Sequence, residues 1–303
     1  MNGIIPLYKE RGLTSHDCVN QLRKILQTKK VGHSGTLDPN VDGVLPICIG
    51  SATKVVDYLM EFGKTYRGTI TLGFSTTTED LDGEVVERTP LKEPVDEDKI
   101  SDVMAMLTGE ITQIPPMYSA VKVNGRKLYE YARAGETVER PARSVMIYSF
   151  VQLGKTRFDE ETGQQEIHFE VKCSKGTYIR TLAVDFGRHL GLESVMSDLT
   201  RISSGGFDVK ETVTIDEIKE LFASEQTTYD WLYPINRALV KYPEVKLTEA
   251  QWRVVQNGVW MYANELASTE PVIALSFEGE IKCLYQLMEN GKQYKPLKMI
   301  SNK

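Results

Sequence analysis

The sequence is short of the residues that build metal centres and disulfide frameworks. It has four cysteines and four histidines in 303 residues, and no two cysteines form a C-x-x-C pair. Structural zinc sites and disulfide frameworks both need these residues at close, regular spacings. We therefore expect a reduced protein that holds no metal ion.

Long hydrophobic runs are also missing. No stretch approaches the ~18 consecutive apolar residues of a membrane-spanning helix, and the first residues, MNGIIPLYKERG, lack the apolar core of a signal peptide. The 41% hydrophobic and 26% charged content is that of an ordinary globular protein. These features predict a cytoplasmic protein that does not associate with membranes.

The sequence lacks an overall excess of positive charge, because its net charge is −6. The acidic residues are concentrated, however: residues 79–110 hold eleven Asp or Glu against three Lys or Arg. Residues 118–143 hold six basic residues against three acidic ones. A basic face kept apart from the acid would suit RNA, whereas a solvated surface of mixed charge explains the same distribution. Charge alone favours the second interpretation.

A phosphate-binding loop of the nucleoside-triphosphatase kind is absent too. The turn at residues 174–176 (Ser-Lys-Gly) opens a helix that we predict over residues 177–190. The N-terminus of a helix can bind phosphate, but this turn does not have the P-loop spacing. We therefore expect no nucleotide cofactor.

Among the features that are present, residues 31–50 (VGHSGTLDPNVDGVLPICIG) are the most informative. The segment from Gly32 to Gly35 is too rich in glycine for a helix interior or a good strand. Pro39 favours an extended or turn backbone at Asp38, and the apolar run that follows predicts a buried strand. A carboxylate is thus held on a stiff loop against the core. A simple Asx-Pro turn explains the same pattern, so spacing alone leaves a catalytic role for Asp38 open.

Periodicity and turn signals predict an irregular alternation of strands and helices, without a regular βαβ repeat. One predicted helix begins after Thr14. The others cover residues 52–62, 96–107, 126–134, 177–190 and 214–222. The predicted strands cover residues 3–8, 44–49, 65–73, 143–153, 165–173, 272–277 and 281–288, and Asn124-Gly125 predicts a hairpin turn. The chain loosens over residues 223–237, and a mostly β segment follows.

The stretch from Gly32 to Pro39, with residues 43–50 and 52–54 behind it, resembles the active-site motif of the TruB-type tRNA pseudouridine synthases. The resemblance extends from about Gly3 to Phe207. Further matching segments are residues 64–67 (KTYR), 116–122 (PMYSAVK), 127–133 (KLYEYAR), 173–180 (CSKGTYIR) and 199–201 (LTR). The KLYEYAR segment and the short C-terminal tail resemble the bacterial stand-alone branch. The chain departs from the family at Lys9-Glu10, where the usual pair is Lys-Pro.

The resemblance implies an α+β fold, in which helices flank a mixed, mainly antiparallel central sheet and a small, mostly β, PUA-like domain follows. We expect a catalytic domain over residues 1–238 and the C-terminal domain over residues 239–303. Residues 124–150 would form an insertion that grips RNA.

The resemblance also implies the activity. Such enzymes convert the T-loop uridine of tRNA, position 55, into pseudouridine: the N1–C1′ bond breaks, the base turns, and C5 joins C1′. No cofactor is needed for this isomerisation. The implied partner is the T-arm stem-loop of tRNA, and we expect the protein to act as a monomer.

Three residues take catalytic roles by the resemblance. Asp38 would be the nucleophile, attacking the ribose C1′ or the base C6, or acting through a glycal. Arg180 would pair with Asp38 and keep it ionised. Tyr66 would stack on the flipped-out base and serve as, or position, the proton acceptor.

Other residues take binding roles by the same resemblance. Tyr178 and Leu199 would line the base pocket, and His33 would take the place that the flipped base leaves. Phosphate contacts would come from Lys9, from Lys54 and from the helix at residues 126–133. Asp80 would join the pocket network.

Two other functions remain open at this point. One is a tRNA-binding or RNA-folding protein without catalysis, and the other is a pseudouridine synthase that acts on another RNA. A protein that only binds RNA would be free to lose Asp38. The sequence retains Asp38, Tyr66 and Arg180 together, which favours an enzyme.

Overall fold

The structure is a computed structural model that describes residues 1–224 and 229–302. In this part of the chain the fold is α+β, and seven α-helices are present. They are α1 (Ser15–Ile25), α2 (Val56–Met60), α3 (Glu97–Met106), α4 (Leu128–Ala134), α5 (Ile179–His189), α6 (Ile215–Ala223) and α7 (Glu249–Val255). Short 3₁₀ helices cover Gly50–Val55, Val209–Glu211 and Ile235–Leu239.

The strands outnumber the helices. Those before residue 120 are β1 (Gly3–Lys9), β2 (Val31–His33), β3 (Asp42–Ile49), β4 (Lys64–Leu72), β5 (Phe74–Thr76), β6 (Val85–Arg88) and β7 (Gly109–Gln113). Those from residue 120 to 210 are β8 (Lys122–Val123), β9 (Arg126–Lys127), β10 (Arg143–Gln152), β11 (Arg157–Asp159), β12 (Gln164–Cys173), β13 (Ser194–Ser204) and β14 (Phe207–Asp208). The last are β15 (Glu244–Lys246), β16 (Met261–Tyr262), β17 (Val272–Phe277), β18 (Glu280–Leu287) and β19 (Gln293–Met299).

The chain divides into two compact units. Residues 1–61 and the described residues from 204 onward form the first unit, and residues 62–203 form the second. This division differs from the linear boundary predicted at residues 238 and 239, because the start and the end of the chain fold together. The predicted functional domains, including the RNA-gripping insertion at residues 124–150, stay a prediction.

In the first unit, the buried apolar strand β3 pairs antiparallel with both β1 and β2. The helix predicted to begin after Thr14 is confirmed as α1, and a capping box between Thr14 and Asp17 begins it. A five-stranded sheet with the order β15-β17-β18-β19-β16 follows near the C-terminus. One apolar core joins the two chain ends, since Ile4 and Val44 belong to the same buried cluster as Leu284 and Ile300.

In the second unit, the strands lie in the order β13-β4-β12-β10-β7, with β11 added to β12, and every pairing is antiparallel. The predicted hairpin turn is confirmed: Asn124 and Gly125 have φ angles of 51° and 83° between β8 and β9. Two positive φ angles in succession are the signature of a type I′ turn.

Most predicted elements are confirmed, with ends displaced by one or two residues. The helix predicted over residues 52–62 is wrong in part, because residues 50–55 form a 3₁₀ helix and only Val56–Met60 is α-helical. The strands β7, β13 and β19 were not predicted. The expectation that residues 32–35 would not form a good strand is wrong in part, because Gly32 and His33 pair with β3 as part of β2. The loosening predicted over residues 223–237 falls partly outside the described residues. Over residues 1–224 and 229–302, no helix is long and apolar enough to cross a membrane.

Candidate active site

Asp38 lies on the loop between β2 and β3 in the first unit. Leu37 and Val41, on either side of it, are buried with 4% exposure each. The backbone N–H of Leu37 donates to Ser15 Oγ at 2.9 Å, and Ser15 Oγ donates to the Leu37 carbonyl at 3.3 Å. The Val41 N–H closes the turn onto the Asp38 carbonyl at 3.1 Å. The half-buried carboxylate therefore projects from a loop that is anchored on both sides.

Lys9, the last residue of β1, lies under this loop. Its side chain is fully buried, and its ammonium donates hydrogen bonds of 3.0 Å to the carbonyls of Glu10 and Pro39. A phosphate would need an exposed cation, so this placement does not fit the predicted phosphate contact. The ammonium instead binds the carbonyl of Pro39, the residue directly after Asp38.

The other two predicted residues of the first unit are placed differently. His33 is half-buried at the end of β2, where it pairs in register with Ile47 of β3. Lys54 is exposed, and its ammonium donates to the Ile300 carbonyl at 2.9 Å. Lys54 therefore lies at the solvent surface, as the predicted phosphate contact requires, whereas His33 lies at the root of the Asp38 loop.

Tyr66 and Leu199 share one face of the sheet in the second unit. On the β4–β13 pair, Gly68 is opposite Leu199 and Tyr66 is opposite Arg201. Cross-strand partners point to the same face, so Leu199 is the diagonal neighbour of Tyr66. Both side chains are largely buried, at 7% exposure for Tyr66 and 6% for Leu199.

Arg180 lies in the first turn of α5 and is 5% exposed. Its Nε lies 3.6 Å from Asp80 Oδ2. One terminal nitrogen donates to the Thr78 carbonyl at 3.0 Å, and the other donates to the Tyr118 carbonyl at 2.9 Å. Two segments distant in the sequence, residues 78–80 and the segment at Tyr118, thus fix the orientation of the guanidinium. This is the group that a catalytic carboxylate would need as its cation.

The Asp80 segment adds two carboxyl groups of altered acidity. Burial raises the pKa of Asp80, while a hydrogen bond from Thr78 Oγ1 and the charge of Arg180 act in the opposite direction. Burial likewise raises the pKa of Glu79, which accepts a 3.0 Å hydrogen bond from Thr181 Oγ1. Two consecutive acidic residues therefore bind two consecutive residues of α5. Asp80 thus contacts Arg180, and its predicted place in the pocket network stays a prediction.

Tyr178 precedes α5 and is half-exposed. Its backbone is bound on both sides by the side chain of Gln113, a residue that the sequence analysis did not single out. The Tyr178 N–H donates to Gln113 Oε1 at 3.0 Å, and Gln113 Nε2 donates to the Tyr178 carbonyl at 3.1 Å. The sequence contains no specific signal for Gln113, because no strand was predicted there and the burial of its side chain is seen only in the structure.

The segment around α4 combines aromatic and basic side chains, as predicted. The guanidinium of Arg126 lies 4.3 Å from the ring centre of Tyr131. Lys127 and Arg133 each lie 5.3 Å from the ring centre of Tyr129. Arg126 also pairs with Glu136 at 2.8 Å. Such cation–π pairs hold the charges at the surface in defined positions.

The structure therefore brings several predicted residues together within each unit. The first unit joins Lys9 to the backbone of the Asp38 loop, and the second joins Asp80 to Arg180 and aligns Tyr66 with Leu199. The predicted pairing of Arg180 with Asp38 stays a prediction. In the described chain, no group of three or more His, Cys, Asp or Glu side chains is arranged to hold a metal ion.

Comparison with known proteins gives two family matches along the chain. The family described as TruB family pseudouridylate synthase (N terminal domain) matches residues 23–179. The family described as tRNA pseudouridylate synthase B C-terminal domain matches residues 180–240.

Two relatives match almost the whole length of the chain and have the same name. The chain is 61% identical over 302 residues to the tRNA pseudouridine synthase B of Levilactobacillus brevis, covering 99% of each chain. It is 57% identical over 300 residues to the protein of that name from Pediococcus pentosaceus, again covering 99% of each chain.

Solved structures agree at the level of the fold. A Cbf5-Nop10-Gar1 complex contains a chain that is 28% identical, with a TM-score of 0.75 and coverage of 99% of this chain and 85% of that one. An H/ACA RNP bound to a substrate RNA containing 2′-deoxyuridine contains a chain that is 26% identical, with a TM-score of 0.72 and the same coverage. The α+β fold described above is shared with both.

Proposed function

This chain belongs to the TruB family of pseudouridylate synthases, and on that premise we propose that it isomerises the T-loop uridine of tRNA, position 55, to pseudouridine. The observation that carries the proposal is the full-length similarity to proteins named tRNA pseudouridine synthase B, at 61% and 57% identity. The similarity covers the Asp38 loop, the strand β4 that carries Tyr66 and the helix α5 that carries Arg180.

The reaction asks for a nucleophile and a proton transfer. The N1–C1′ bond breaks, C5 bonds to C1′, and the proton that C5 loses is balanced by the proton that N1 gains. No oxidant, reductant or water is consumed. A positioned carboxylate is sufficient as a nucleophile, and Asp38 is the carboxylate that we assign, through C1′, through C6 or through a glycal.

The anchoring of the Asp38 loop supports this assignment. A nucleophile acts best when its orientation is fixed before the substrate arrives, because the ordering entropy is then already lost. Ser15 and Lys9 hold the backbone on the two sides of Asp38. We assign to Arg180 the role of keeping Asp38 ionised, since a nearby cation favours the charged form of a carboxylate.

The base has to leave the RNA stack before it reaches the half-buried carboxylate of Asp38, at a cost of roughly a few kcal/mol. We assign to Tyr66 the stacking contact with the flipped base, which returns about 1–3 kcal/mol, and the placement of the proton acceptor. Tyr178 and Leu199 line the pocket, and His33 takes the place of the flipped base. The shared face of Tyr66 and Leu199 supports this arrangement.

The partner in this proposal is the T-arm stem-loop of tRNA, bound by a protein that acts as a monomer in the cytoplasm of a bacterium. Lys54 and the helix α4 contact phosphates, which position the RNA without reading its sequence. Asp80 contributes through Arg180.

The proposal is tested by mapping pseudouridine by mass spectrometry on an unmodified tRNA transcript. The transcript is incubated with the wild-type protein and, separately, with Asp38→Asn, which keeps the shape of the side chain and removes its charge. We expect pseudouridine at the T-loop uridine with the wild type only. The affinity of Asp38→Asn for tRNA should stay within about tenfold of the wild type, or roughly 1.4 kcal/mol.

The other outcomes distinguish the alternatives. Binding of the transcript without product from the wild type would identify an RNA-binding protein without catalysis. Product at another uridine, or only on another RNA, would retain the chemistry and replace the substrate. Equal turnover by Asp38→Asn and wild type would overturn the role of Asp38.

A further inference from the structure

Gln113, at the last position of β7, makes a pair of contacts with one other residue. Its side chain is 1% exposed, and its amide binds both backbone groups of one residue, Tyr178, at 3.0 Å and 3.1 Å. The partners fix the orientation of the amide. In a reversed amide, Nε2 would face the Tyr178 N–H, which is also a donor, and Oε1 would face the Tyr178 carbonyl, which is also an acceptor. The contact therefore resembles one rung of a β-ladder, made by a side chain.

The residue that Gln113 binds is where α5 begins. Tyr178 has an extended backbone, with φ −100° and ψ 112°, and Ile179 is the first helical residue. A tyrosine side chain does not cap a helix in the way that Ser, Thr, Asp or Asn does. The start of α5 is therefore fixed from outside, and Gln113 supplies that contact.

The segment that follows β7 also contacts Arg180. Five residues after Gln113, the Tyr118 carbonyl accepts a 2.9 Å hydrogen bond from the Arg180 guanidinium. The segment from Gln113 to Tyr118 thus binds the backbone of one assigned site residue and the side chain of another. A shift at Gln113 would move Tyr178 and Arg180 together.

We propose that Gln113 is a positioning residue for the isomerisation, which fixes the start of α5 and so the pocket tyrosine Tyr178 and the cation Arg180. This inference rests on the proposed function. It assigns Gln113 no contact with the RNA; the residue acts through the backbone of Tyr178.

The chain offers a matched control for the loss of such a clamp. Gln165, on β12 in the same unit, is fully buried and binds both backbone groups of Val95, at 2.7 Å and 3.1 Å. It also donates to Thr156 Oγ1 at 3.0 Å. Val95 lies just before α3, and none of the assigned site residues is next to it in the sequence. Gln165 therefore makes the same kind of contact as Gln113, but to a residue outside the assigned site.

The experiment compares Gln113→Leu with Gln165→Leu in the full chain. Leucine fills a similar volume and leaves the two backbone groups of the partner residue without the amide. The thermal midpoint, the affinity for tRNA, and the rate of pseudouridine formation in a single turnover are measured for each. We expect both variants to lose thermal stability, and Gln165→Leu to lose at least as much, because it also loses the hydrogen bond to Thr156.

The single-turnover rates should separate the two variants. We expect Gln113→Leu to lose at least about tenfold in rate and Gln165→Leu to stay within about twofold of the wild type, with tRNA affinity changed little in either. Equal rate losses in the two variants would overturn the proposal, as would a wild-type rate for Gln113→Leu. A wild-type protein that makes no pseudouridine would overturn the proposed function and this inference with it.

A second variant keeps the test open if Gln113→Leu does not fold. In Gln113→Glu, a neutral carboxyl group supplies one donor and one acceptor, whereas the ionised form supplies acceptors only. Burial raises the pKa of a carboxyl group, so the clamp should re-form as the pH falls. We expect the rate of Gln113→Glu, relative to wild type at the same pH, to rise between about pH 8 and about pH 6. Gln165→Glu should show a constant ratio, and a constant ratio for Gln113→Glu would overturn the proposal.

Discussion

The ammonium of Lys9 donates a 3.0 Å hydrogen bond to the carbonyl of Pro39, the residue directly after Asp38. The same carbonyl accepts a 2.9 Å hydrogen bond from the Gly12 N–H. A fully buried cation thus holds the backbone from which the assigned nucleophile projects. We therefore expect the position of Asp38 to depend on this buried charge.

Lys9→Met tests this dependence. Methionine fills a similar space without the charge, so the carbonyls of Glu10 and Pro39 lose a charged donor. We expect the free energy of unfolding to fall by about 1–3 kcal/mol. We also expect the loss in turnover of tRNA, expressed as a free energy, to exceed this loss of stability. Chemical denaturation and single-turnover rates measure the two effects. Arg11→Met is the control, because its 3.2 Å ion pair with Asp42 is half-exposed and should contribute no more than about 1 kcal/mol. Equal losses in the two variants would contradict this role of Lys9.

Gly68 is required by the close approach of β13. A Cβ atom at this position would lie 2.4 Å from the Asp198 carbonyl oxygen and 2.9 Å from Leu199 Cδ1. Because a backbone oxygen in a sheet cannot move aside freely, we expect Gly68→Ala to lower the free energy of unfolding by about 1–3 kcal/mol. We also expect a lower rate of pseudouridine formation, since Leu199 has to move.

Gly63→Ala is the matched control for Gly68→Ala. The nearest atom to a Cβ at Gly63 is the Cys173 carbonyl oxygen at 3.5 Å, an ordinary contact. Thermal unfolding should show a large shift for Gly68→Ala and a small one for Gly63→Ala. A Gly68→Ala protein as stable as the wild type would show that the two strands can separate without cost.

The sequence predicted the elements whose hydrophobic period is unbroken. The run at residues 44–49 and the alternation after Thr65 are both present as strands, β3 and β4. β13 was missed because its period is broken twice: its pairing with β4 shifts register between Met196 and Asp198 and again between Arg201 and Ser203. A bulge moves the following side chains to the other face, so a period of two is lost from the sequence.

The helix predicted from residue 52 shows a similar limit. The buried side chains Ala52 and Val55 are three residues apart, and Leu59 follows after four. A spacing of three suits a 3₁₀ helix and a spacing of four an α-helix, and both occur in turn along residues 50–60. At this length the sequence cannot separate the two.

The residues of the candidate site also fall into those that the sequence predicted and those that it did not. Asp38, Tyr66 and Arg180 were found because they lie in motifs. Gln113 and the burial of Lys9 were not, because a polar side chain inside a fold is recognised by its partners, and those partners lie 65 and 30 residues away. Buried lysine is rare enough that exposure was the natural expectation.

Glu79 gives a prediction about pH. Burial raises its pKa above the ordinary value of 4.5, against the hydrogen bond from Thr181 and the charge of Arg180. The folded state therefore binds the proton more tightly than the unfolded state, and ionisation of Glu79 costs stability at neutral pH. Below the unfolded value near 4.5 the carboxyl is protonated in both states and this cost is absent.

Glu79→Gln removes that cost, because the neutral amide oxygen still accepts from Thr181. We expect the variant to unfold at higher denaturant concentration than the wild type at neutral pH, and this advantage to shrink as the pH is lowered through the raised pKa. Denaturant unfolding at several pH values measures it. Glu217→Gln is the control, because hydrogen bonds from Thr214 lower the pKa of Glu217. The wild type should then be the more stable of that pair at neutral pH. A Glu79→Gln advantage that grows on acidification would contradict the assignment.

Arg133 tests the contribution of the α4 segment to RNA binding. Its side chain is exposed beside the ring of Tyr129, where a phosphate can reach the guanidinium. Removing one phosphate contact should weaken tRNA binding about equally for all sequences and reduce the slope of log affinity against log salt by about one. Arg133→Gln is compared with Arg157→Gln, whose side chain is 80% exposed and lies on β11, outside the basic segment. Titrations at several salt concentrations should change the slope for Arg133→Gln alone. Equal slopes for both variants and the wild type would place the RNA-binding surface elsewhere, since exposed positive charge contributes to the salt dependence only where it displaces counterions from the phosphates.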